Sequence, residues 1–566
     1  MKTGTEATLL VHNDTSGAVL ACREGLSFWG GVDPDTGTII DTHHPDLGAS
    51  LAGRIVLMPT SRGSCSGSGV LLQLARNGQA PAALVFREPE DILTLGAIIS
   101  ARLFDRPIAV LRLPAETYEA LSRAEDAEIK GERLSFAGRR IELSRPESRG
   151  LSLSSRDRDM LEGRGGPARR LAMEVLCLMA AAQGAKDLID VSRAHIDGCI
   201  LAHDANLDFA EKMDEMGAKA VVPTTMNAIS VDRENWRSQG VPGEFGSKAS
   251  RLADAYVNMG ARPTFTCAPY LLDDVPGEDE AIGWSESNAV IYANSVLGAR
   301  TQKHPDYLDL FVAITGRAPN TGVYLAENRK PVCEIRVEPP RSFDDALWPM
   351  LGWLAGSRSP AGIPVLTGLE HLSPAPDDLR ALCAAFGTTS AAPMLHVRGH
   401  TPEGGLPLAA GADLLEIPLD DLRELWREFN AGDDRIDLVA IGSPHASLAE
   451  TRRLAECLGG RRCHDGLRTI VTVGRNTLAG MQAEGILQRL QQAGVQVLPD
   501  LCWCSITEPV FPGDASVIMT NSGKYAHYGK GLTGRDMRFG CLEDCAEAAL
   551  TGRAKPGLPA WLTEGR

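Results

Sequence analysis

From Leu438 to Leu498 the chain reads as strand and helix in turn. The run Leu438-Val439-Ala440-Ile441 leads into the polar turn Gly442-Ser443-Pro444-His445, followed by a helix pattern over Leu448–Leu458. A second apolar run covers Thr469–Val473, a helix pattern Leu478–Gln492, and a third run Val495–Leu498. Apolar runs of four or five residues, separated by helix-length segments, predict a mainly parallel sheet with both faces covered. In such sheets ligands bind beyond the carboxyl ends of the strands. The turn at 442–445 falls at one such end. Pro223-Thr224-Thr225, after the run Lys219–Val222, falls at another.

The same alternation extends outward from this stretch. Ile363–Leu366 and Met394–Val397 read as strands, and Pro167–Ala182, Leu207–Met216 and Ser247–Met259 as helices. Nearer the N-terminus, Ile55–Met58, Ala83–Phe86 and Ile108–Leu111 read as strands, with helices over Gly69–Arg76 and Asp91–Leu103. Phe28–Ile40, rich in Gly and Asp, reads as turns and short β structure. From Ser144 to Gly166 the sequence turns polar, charged and Gly-rich, the texture of a domain connection. The expected architecture is α/β, with a small domain over 1–147 and a large one over 148–566.

With 566 residues and 43% hydrophobic composition, the chain has ample core material. Its net charge of −16 (57 Lys and Arg against 73 Asp and Glu) disfavours nucleic acid as a partner but allows a local basic pocket for an acidic metabolite. The 13 cysteines follow no secretory signal pattern, which points to a reducing, cytoplasmic setting without disulfides. No uncharged apolar run approaches the ~20 residues of a membrane span.

Four clusters carry the candidate chemistry. Gly63-Ser64-Cys65-Ser66-Gly67-Ser68-Gly69 lies at an expected strand-to-helix turn, where backbone N–H groups hold anions. It is either a plain tight turn or a place where a serine is held exposed. A free hydroxyl is a poor base and needs nearby positive charge. Thr520 to Tyr528 sets Ser522, Lys524, Tyr525 and His527 around Gly523, a set suited to a small carboxylate. Glu286, Ser287 and Arg300 form a third group with Asn294 and Ser295. Cysteines make the fourth: Cys267 in Thr266-Cys267-Ala268-Pro269-Tyr270, and Cys502-Trp503-Cys504 after the last strand of the opening stretch. His195 and His445 sit at strand ends and serve equally as ligand contacts or as satisfied core histidines. Gly-x-Ser-x-Gly and His-Glu-x-x-His are missing from the sequence and no dinucleotide fingerprint stands at a strand-to-helix turn, which removes the usual support for hydrolase, zinc-protease and dehydrogenase readings.

Together these motifs resemble the aconitase X family along nearly the whole chain. The resemblance rests on Val222 to Asn227, Thr266 to Leu271, Asn294 to Thr301 and Thr520 to Tyr528. In the small domain it rests on Phe28 to Asp33, His44-Pro45-Asp46 and the Gly63–Gly69 loop. It implies an aconitase-like large domain with an N-terminal swivelling domain, fused as in bacterial members. It also implies a hydro-lyase acting on cis-3-hydroxy-L-proline, with mevalonate 5-phosphate or another small hydroxy acid as the alternative substrate. A non-catalytic metabolite- or iron-binding protein is the third reading. The residues Gln302 to Tyr307 after Arg300-Thr301 favour the hydroxyproline branch.

The resemblance further implies an iron–sulfur cluster of [2Fe–2S] type, or a mononuclear iron, on Cys267 and Cys502. Ser443 stands where the family often has a cysteine, so the third ligand is Ser443 or another thiol such as Cys504, or the centre has only two protein thiolates. It implies Ser64 as the base, with Ser66 and Ser68 as alternatives, a carboxylate clamp drawn from Lys524, Ser522, Thr225 and Arg300, and further substrate contacts from Thr224, Glu286, Ser287 and His195. Base and metal on different domains imply that domain closure completes the site.

Overall fold

The computed structural model describes residues 6–41, 43–62, 64–146 and 150–563. The expected domain boundary at 147/148, and Gly63 of the serine loop, lie outside the described residues. The chain divides into two compact units. One runs through Thr224 and takes in Ala255–Ala261 and His304–Gly322. The other comprises Thr225–Asp254, Arg262–Lys303 and the chain from Val323 onward.

The first unit is built on an eight-stranded sheet. Its order is Thr8–Val11, Ala109–Arg112, Ala83–Phe86, Ile55–Met58, Thr15–Ala21, Asp126–Lys130, Arg133–Phe136 and Arg139–Glu142. The inner strands, from Ala109–Arg112 to Thr15–Ala21, run parallel. Ile55–Met58 and Ala83–Phe86 are buried at every position, which is why they read as unbroken apolar runs. The flanking strands pair antiparallel and alternate, as Asp126–Lys130 shows with only Ala127 and Ile129 buried. Helices Gly67–Asn77 and Ile92–Phe104 connect the central strands. The same unit holds Pro167–Ala182, Asp204–Glu215 and Leu308–Thr315, and the antiparallel pair Leu188–Asp190 with Arg317–Pro319.

The second unit carries two parallel sheets. One has the order His396–Val397, Pro364–Thr367, Cys333–Val337, Asp413–Ile417. The other has the order Val495–Pro499, Arg468–Val473, Leu438–Ile441, Val517–Thr520, Asp536–Phe539. Numbered along the chain, this second sheet runs 3-2-1-4-5. The order reverses between Leu438–Ile441 and Val517–Thr520, so the loops leaving these two strands diverge and open a crevice. Those loops are Gly442–Ser447 and Asn521-Ser522. The sheet thus brings together two motifs that lie 79 residues apart.

The fold class and the parallel sheets are as the sequence predicts. Two elements differ. Lys219–Val222 is not a strand: Ala220 and Val221 donate to the Met259 and Ala313 carbonyls, and the strand begins later, at Thr224–Met226. Thr224 and Thr225 therefore lie within the strand instead of after it. The expected helix Leu478–Gln492 is two helices, Arg475–Ala483 and Ile486–Gln492, parted by Gly485 in the left-handed region. Among the described residues no helix is long and apolar enough to cross a membrane.

Candidate active site

The crevice of the five-stranded sheet is held shut at its base by Ser522. This residue caps helix Gly523–Thr533 by accepting from the Tyr525 N–H at 3.1 Å, and its hydroxyl donates to the Ser443 carbonyl. A buried network backs the same two loops. Arg380, on helix Pro376–Thr389, donates to the His445 carbonyl at 2.5 Å and to Glu450 at 2.6 Å, and Glu450 also accepts from Asn521 at 2.7 Å.

His445 is fully buried and burial pushes its pKa down to about 4. Its Nε2–H donates to the Leu501 carbonyl at 2.6 Å, which leaves Nδ1 to accept from Thr266 at 3.2 Å. The ring is a neutral structural link. Its backbone N–H matters more, donating to the Cys267 sulfur at 3.3 Å.

Cys267, Cys502 and Ala228 form one small buried cluster, with Cys504 packed against it. Asp500 sets the turn before Cys502. It adopts a left-handed backbone (φ +69), accepts from Arg475 at 2.7 and 2.8 Å, and accepts from the Arg233 N–H at 3.1 Å. The Cys502 thiol is pushed up chiefly by its hydrogen bond with Cys267, with burial adding to it and Cys504 and Lys524 opposing.

Beside the thiols lies a buried ion pair, Lys524 Nζ to Glu286 Oε1 at 3.0 Å, with side chains 11% and 13% exposed. Glu286 caps helix Ser287–Ser295 and accepts from Asn288 Nδ2 at 2.6 Å and Asn227 Nδ2 at 3.2 Å. Asn288 also donates to the Cys267 carbonyl at 3.0 Å and accepts from Tyr270 at 2.6 Å. Burial opposes charge on Lys524, yet Glu286 and the nearby cysteines outweigh it and hold its pKa well above the ordinary value. The ammonium is therefore charged at neutral pH.

Donor chemistry and unspent polar atoms test whether this cluster suits a metal. Two buried thiols with a third alongside form a soft donor set. Among the described residues Ser443 Oγ and the Tyr525 hydroxyl are buried and have no hydrogen-bond partner, and Tyr525 lies close enough to Cys502 and Cys504 to feel their charge. Unpartnered buried hydroxyls are costly and signal a missing partner. The residues present fit a thiolate-held iron centre on Cys267 and Cys502, with Ser443 or Cys504 completing it.

The remaining predicted residues fall as follows. Ser287 opens the helix that Glu286 caps. Thr225 is buried in its strand, and Thr224 donates to the Val222 carbonyl at 2.9 Å. Arg300 is committed to Asp279 at 2.6 Å and to the Tyr324 carbonyl at 3.0 Å. In the first unit His195 is fully buried in Ala194–Ile196. There too, Ser66 precedes helix Gly67–Asn77, its N–H donates to Ser64 Oγ at 3.3 Å, and the two hydroxyls lie 3.3 Å apart. Ser68 is buried and spends its hydroxyl on the Ile92 carbonyl at 2.9 Å, which leaves Ser64 and Ser66 as the half-buried pair. Sequence reasoning missed Asn227, Asn288, Arg380 and Glu450. Asn227 ends the quoted run Val222 to Asn227 and Asn288 directly follows Ser287, whereas Arg380 gives no local signal.

These features define an α/β protein with a thiol centre and a buried ammonium–carboxylate pair at a sheet switch point. Residues 5–136 match the Aconitase X swivel domain, 150–327 the first domain, 331–427 the second and 436–551 the third. The chain belongs to the aconitase X family. It is 47% identical to a cis-3-hydroxy-L-proline dehydratase of Pseudomonas aeruginosa, over 98% of both chains. It is 44% identical to one of Hypocrea jecorina, over 99% of this chain and 97% of that one. The crystal structure of Thermococcus kodakaraensis aconitase X in its holo-form superposes with a TM-score of 0.65 at 31% identity, covering 70% of this chain and all of that one.

Proposed function

We propose that this chain is a hydro-lyase that converts cis-3-hydroxy-L-proline to Δ1-pyrroline-2-carboxylate. The observation that carries this reading is its similarity, over nearly its full length, to two dehydratases of that name. The division into a swivel domain (1–147) and a catalytic body (148–566) belongs to the same reading. So does a cytoplasmic setting, which thirteen unbridged cysteines favour.

The reaction removes a proton from the α-carbon and hydroxide from the neighbouring carbon. Iron bound by Cys267 and Cys502 would supply Lewis-acid polarisation of the departing hydroxyl. Ser64 takes the α-proton. Its position just before helix Gly67–Asn77, with the Ser66 N–H donating to its oxygen, favours negative charge there and so raises the fraction of the alkoxide, the form that accepts the proton and returns to the neutral hydroxyl. Lys524 binds the substrate carboxylate and stabilises the charge that develops as the proton leaves. Glu286, braced by Asn227 and Asn288, keeps Lys524 charged and aimed. The enamine that forms tautomerises to the imine.

The test is an assay of cis-3-hydroxy-L-proline beside mevalonate 5-phosphate, with iron measured on each variant. Ser64→Ala retains iron and loses roughly 100-fold or more in turnover, whereas Cys267→Ser and Cys502→Ser lose both. Turnover of mevalonate 5-phosphate alone, or an active iron-free protein, overturns the reading.

A further inference from the structure

Tyr307 is an unusual residue in the first unit. It is a bulky aromatic with φ +79, a backbone region L-residues avoid, and its side chain is fully buried. Such strain persists only where the surroundings over-determine it. The ring packs on Phe209 at 4.3 Å between centroids, and the hydroxyl accepts from Asn206 Nδ2 at 2.9 Å. Burial holds its pKa well above the ordinary value, so the phenol stays protonated.

What Tyr307 presses against is the helix that follows the serine loop. A Cβ at Gly69 would lie 2.8 Å from the Tyr307 hydroxyl and 3.2 Å from Asn206 Nδ2. One residue before Tyr307, the Asp306 N–H points at the Cys65 carbonyl at 3.5 Å, between Ser64 and Ser66. Further along the same helix, Gln73 accepts from the Ala205 N–H at 3.0 Å, and Arg76 pairs with Asp208 at 2.7 Å. The helix is thus docked at both ends, and its serine-bearing end rests on Tyr307 and Asn206.

We propose that Tyr307 and Asn206 are positioning residues that fix the serine loop, with Gly69 supplying the close approach they require. The proposal rests on the reading of Ser64 as the base. It gives a role to the segment after Arg300-Thr301 that the catalytic groups leave unexplained. Proton transfer depends steeply on geometry, and a displacement of about 1 Å costs on the order of 100-fold.

The test uses the full-length protein. Tyr307→Phe keeps the ring and removes the hydroxyl, and Gly69→Ala pushes the loop away. The expected result is a kcat lower by roughly tenfold for Tyr307→Phe and 100-fold for Gly69→Ala, with KM within about twofold and iron content unchanged. Tyr307→Phe made in a Ser64→Ala background costs nothing further, because both act through one group. Amide hydrogen exchange at residues 64–68 rises in Tyr307→Phe while the rest of the chain is unaffected. Unchanged kcat and unchanged exchange overturn the proposal, as does an effect that adds to Ser64→Ala. If the wild type fails to dehydrate hydroxyproline, the proposed function falls, and the exchange measurement alone decides whether Tyr307 holds the loop.

Discussion

Replacing Glu286 by glutamine removes one charge from the centre of the site and changes almost no volume. In the native protein Glu286 accepts from Lys524 at 3.0 Å, Asn288 at 2.6 Å and Asn227 at 3.2 Å. Both partners of the ion pair are close to nine-tenths buried, so solvent does little to screen it. Removing one partner of a buried pair leaves an uncompensated charge and costs about 3–5 kcal/mol. Glutamine accepts at one oxygen only, so a glutamine that keeps the acceptor of Lys524 and Asn288 leaves the Asn227 amide without its own. Lys524 has its folded pKa raised, so its stabilising contribution is complete below the unfolded value, about 10.4, and is lost only as pH rises through the folded value. In Glu286→Gln burial meets less opposition, the ammonium loses its proton at lower pH, and the alkaline limb of activity moves down. Denaturant unfolding at pH 7 and a pH–rate profile measure both effects. The double variant Glu286→Gln/Lys524→Met is the control. With both charges gone it is more stable than Glu286→Gln alone, because the coupling term is recovered. A Glu286→Gln cost below about 1 kcal/mol, typical of an exposed pair, with an unmoved alkaline limb, would refute the reasoning.

Three further outcomes follow from the geometry. Arg380→Lys keeps the charge but replaces a fork that serves His445 and Glu450 with a single ammonium, and lowers unfolding free energy by about 1.5–3 kcal/mol; an unchanged denaturant midpoint counts against the network. Gly442→Ala places a Cβ 2.3 Å from the Thr472 carbonyl at φ +98, whereas Gly460→Ala at φ +75 meets nothing within 4 Å among the described residues. Melting temperatures therefore fall more for the first, since the second pays only the left-handed cost of about 1–3 kcal/mol. His304 is fully buried with its pKa pushed down to about 4, so folding disfavours its protonation. Stability is complete above pH 6.5 and falls by about 3 kcal/mol as pH drops toward 4. His304→Gln flattens that slope in denaturant unfolding, and an unaltered slope rejects the assignment.

The legible parts of the fold are those that a local pattern encodes. Pro167–Ala182 and Leu448–Leu458 were readable residue for residue, because Pro at N1 starts the first and a Ser cap and a terminal Gly bound the second. Lys219–Val222 misleads because its apolar run reads as a buried strand, whereas Val221 is exposed and the Ala220 and Val221 N–H groups bond to the Met259 and Ala313 carbonyls. The antiparallel strands Arg133–Phe136 and Arg139–Glu142 are too polar on their open face to announce themselves. The 3-2-1-4-5 strand order has no local signature at all, since it is set by pairings across the whole domain. The site divides in the same way. Cys267, Cys502, Glu286 and Lys524 were visible as residues, but Lys524 and Glu286 are 238 positions apart and only the fold makes them a pair. Arg380, in a helix interior, reads as a solvated face yet is 6% exposed.

The position of Lys524 is itself evidence about the ligand. It is the second residue of helix Gly523–Thr533. A helix N-terminus carries partial positive charge, so a cation in the first turn is the electrostatically wrong choice. Burial makes it worse, because an ammonium loses most of its hydration there. A chain selected for stability alone would place Asp, Glu or a neutral residue at this point. Glu286 repays part of the cost, and it does so from a helix N-terminus of its own, where a carboxylate is favoured. Two helix starts therefore face one another, both presenting N–H groups and positive ends, with one acid between them and thiols alongside. The local charge favours anions, within a chain whose net charge is −16. Departures from local rules concentrate at functional sites. Under the proposed function, the group that makes this arrangement favourable is the substrate carboxylate bound next to Lys524.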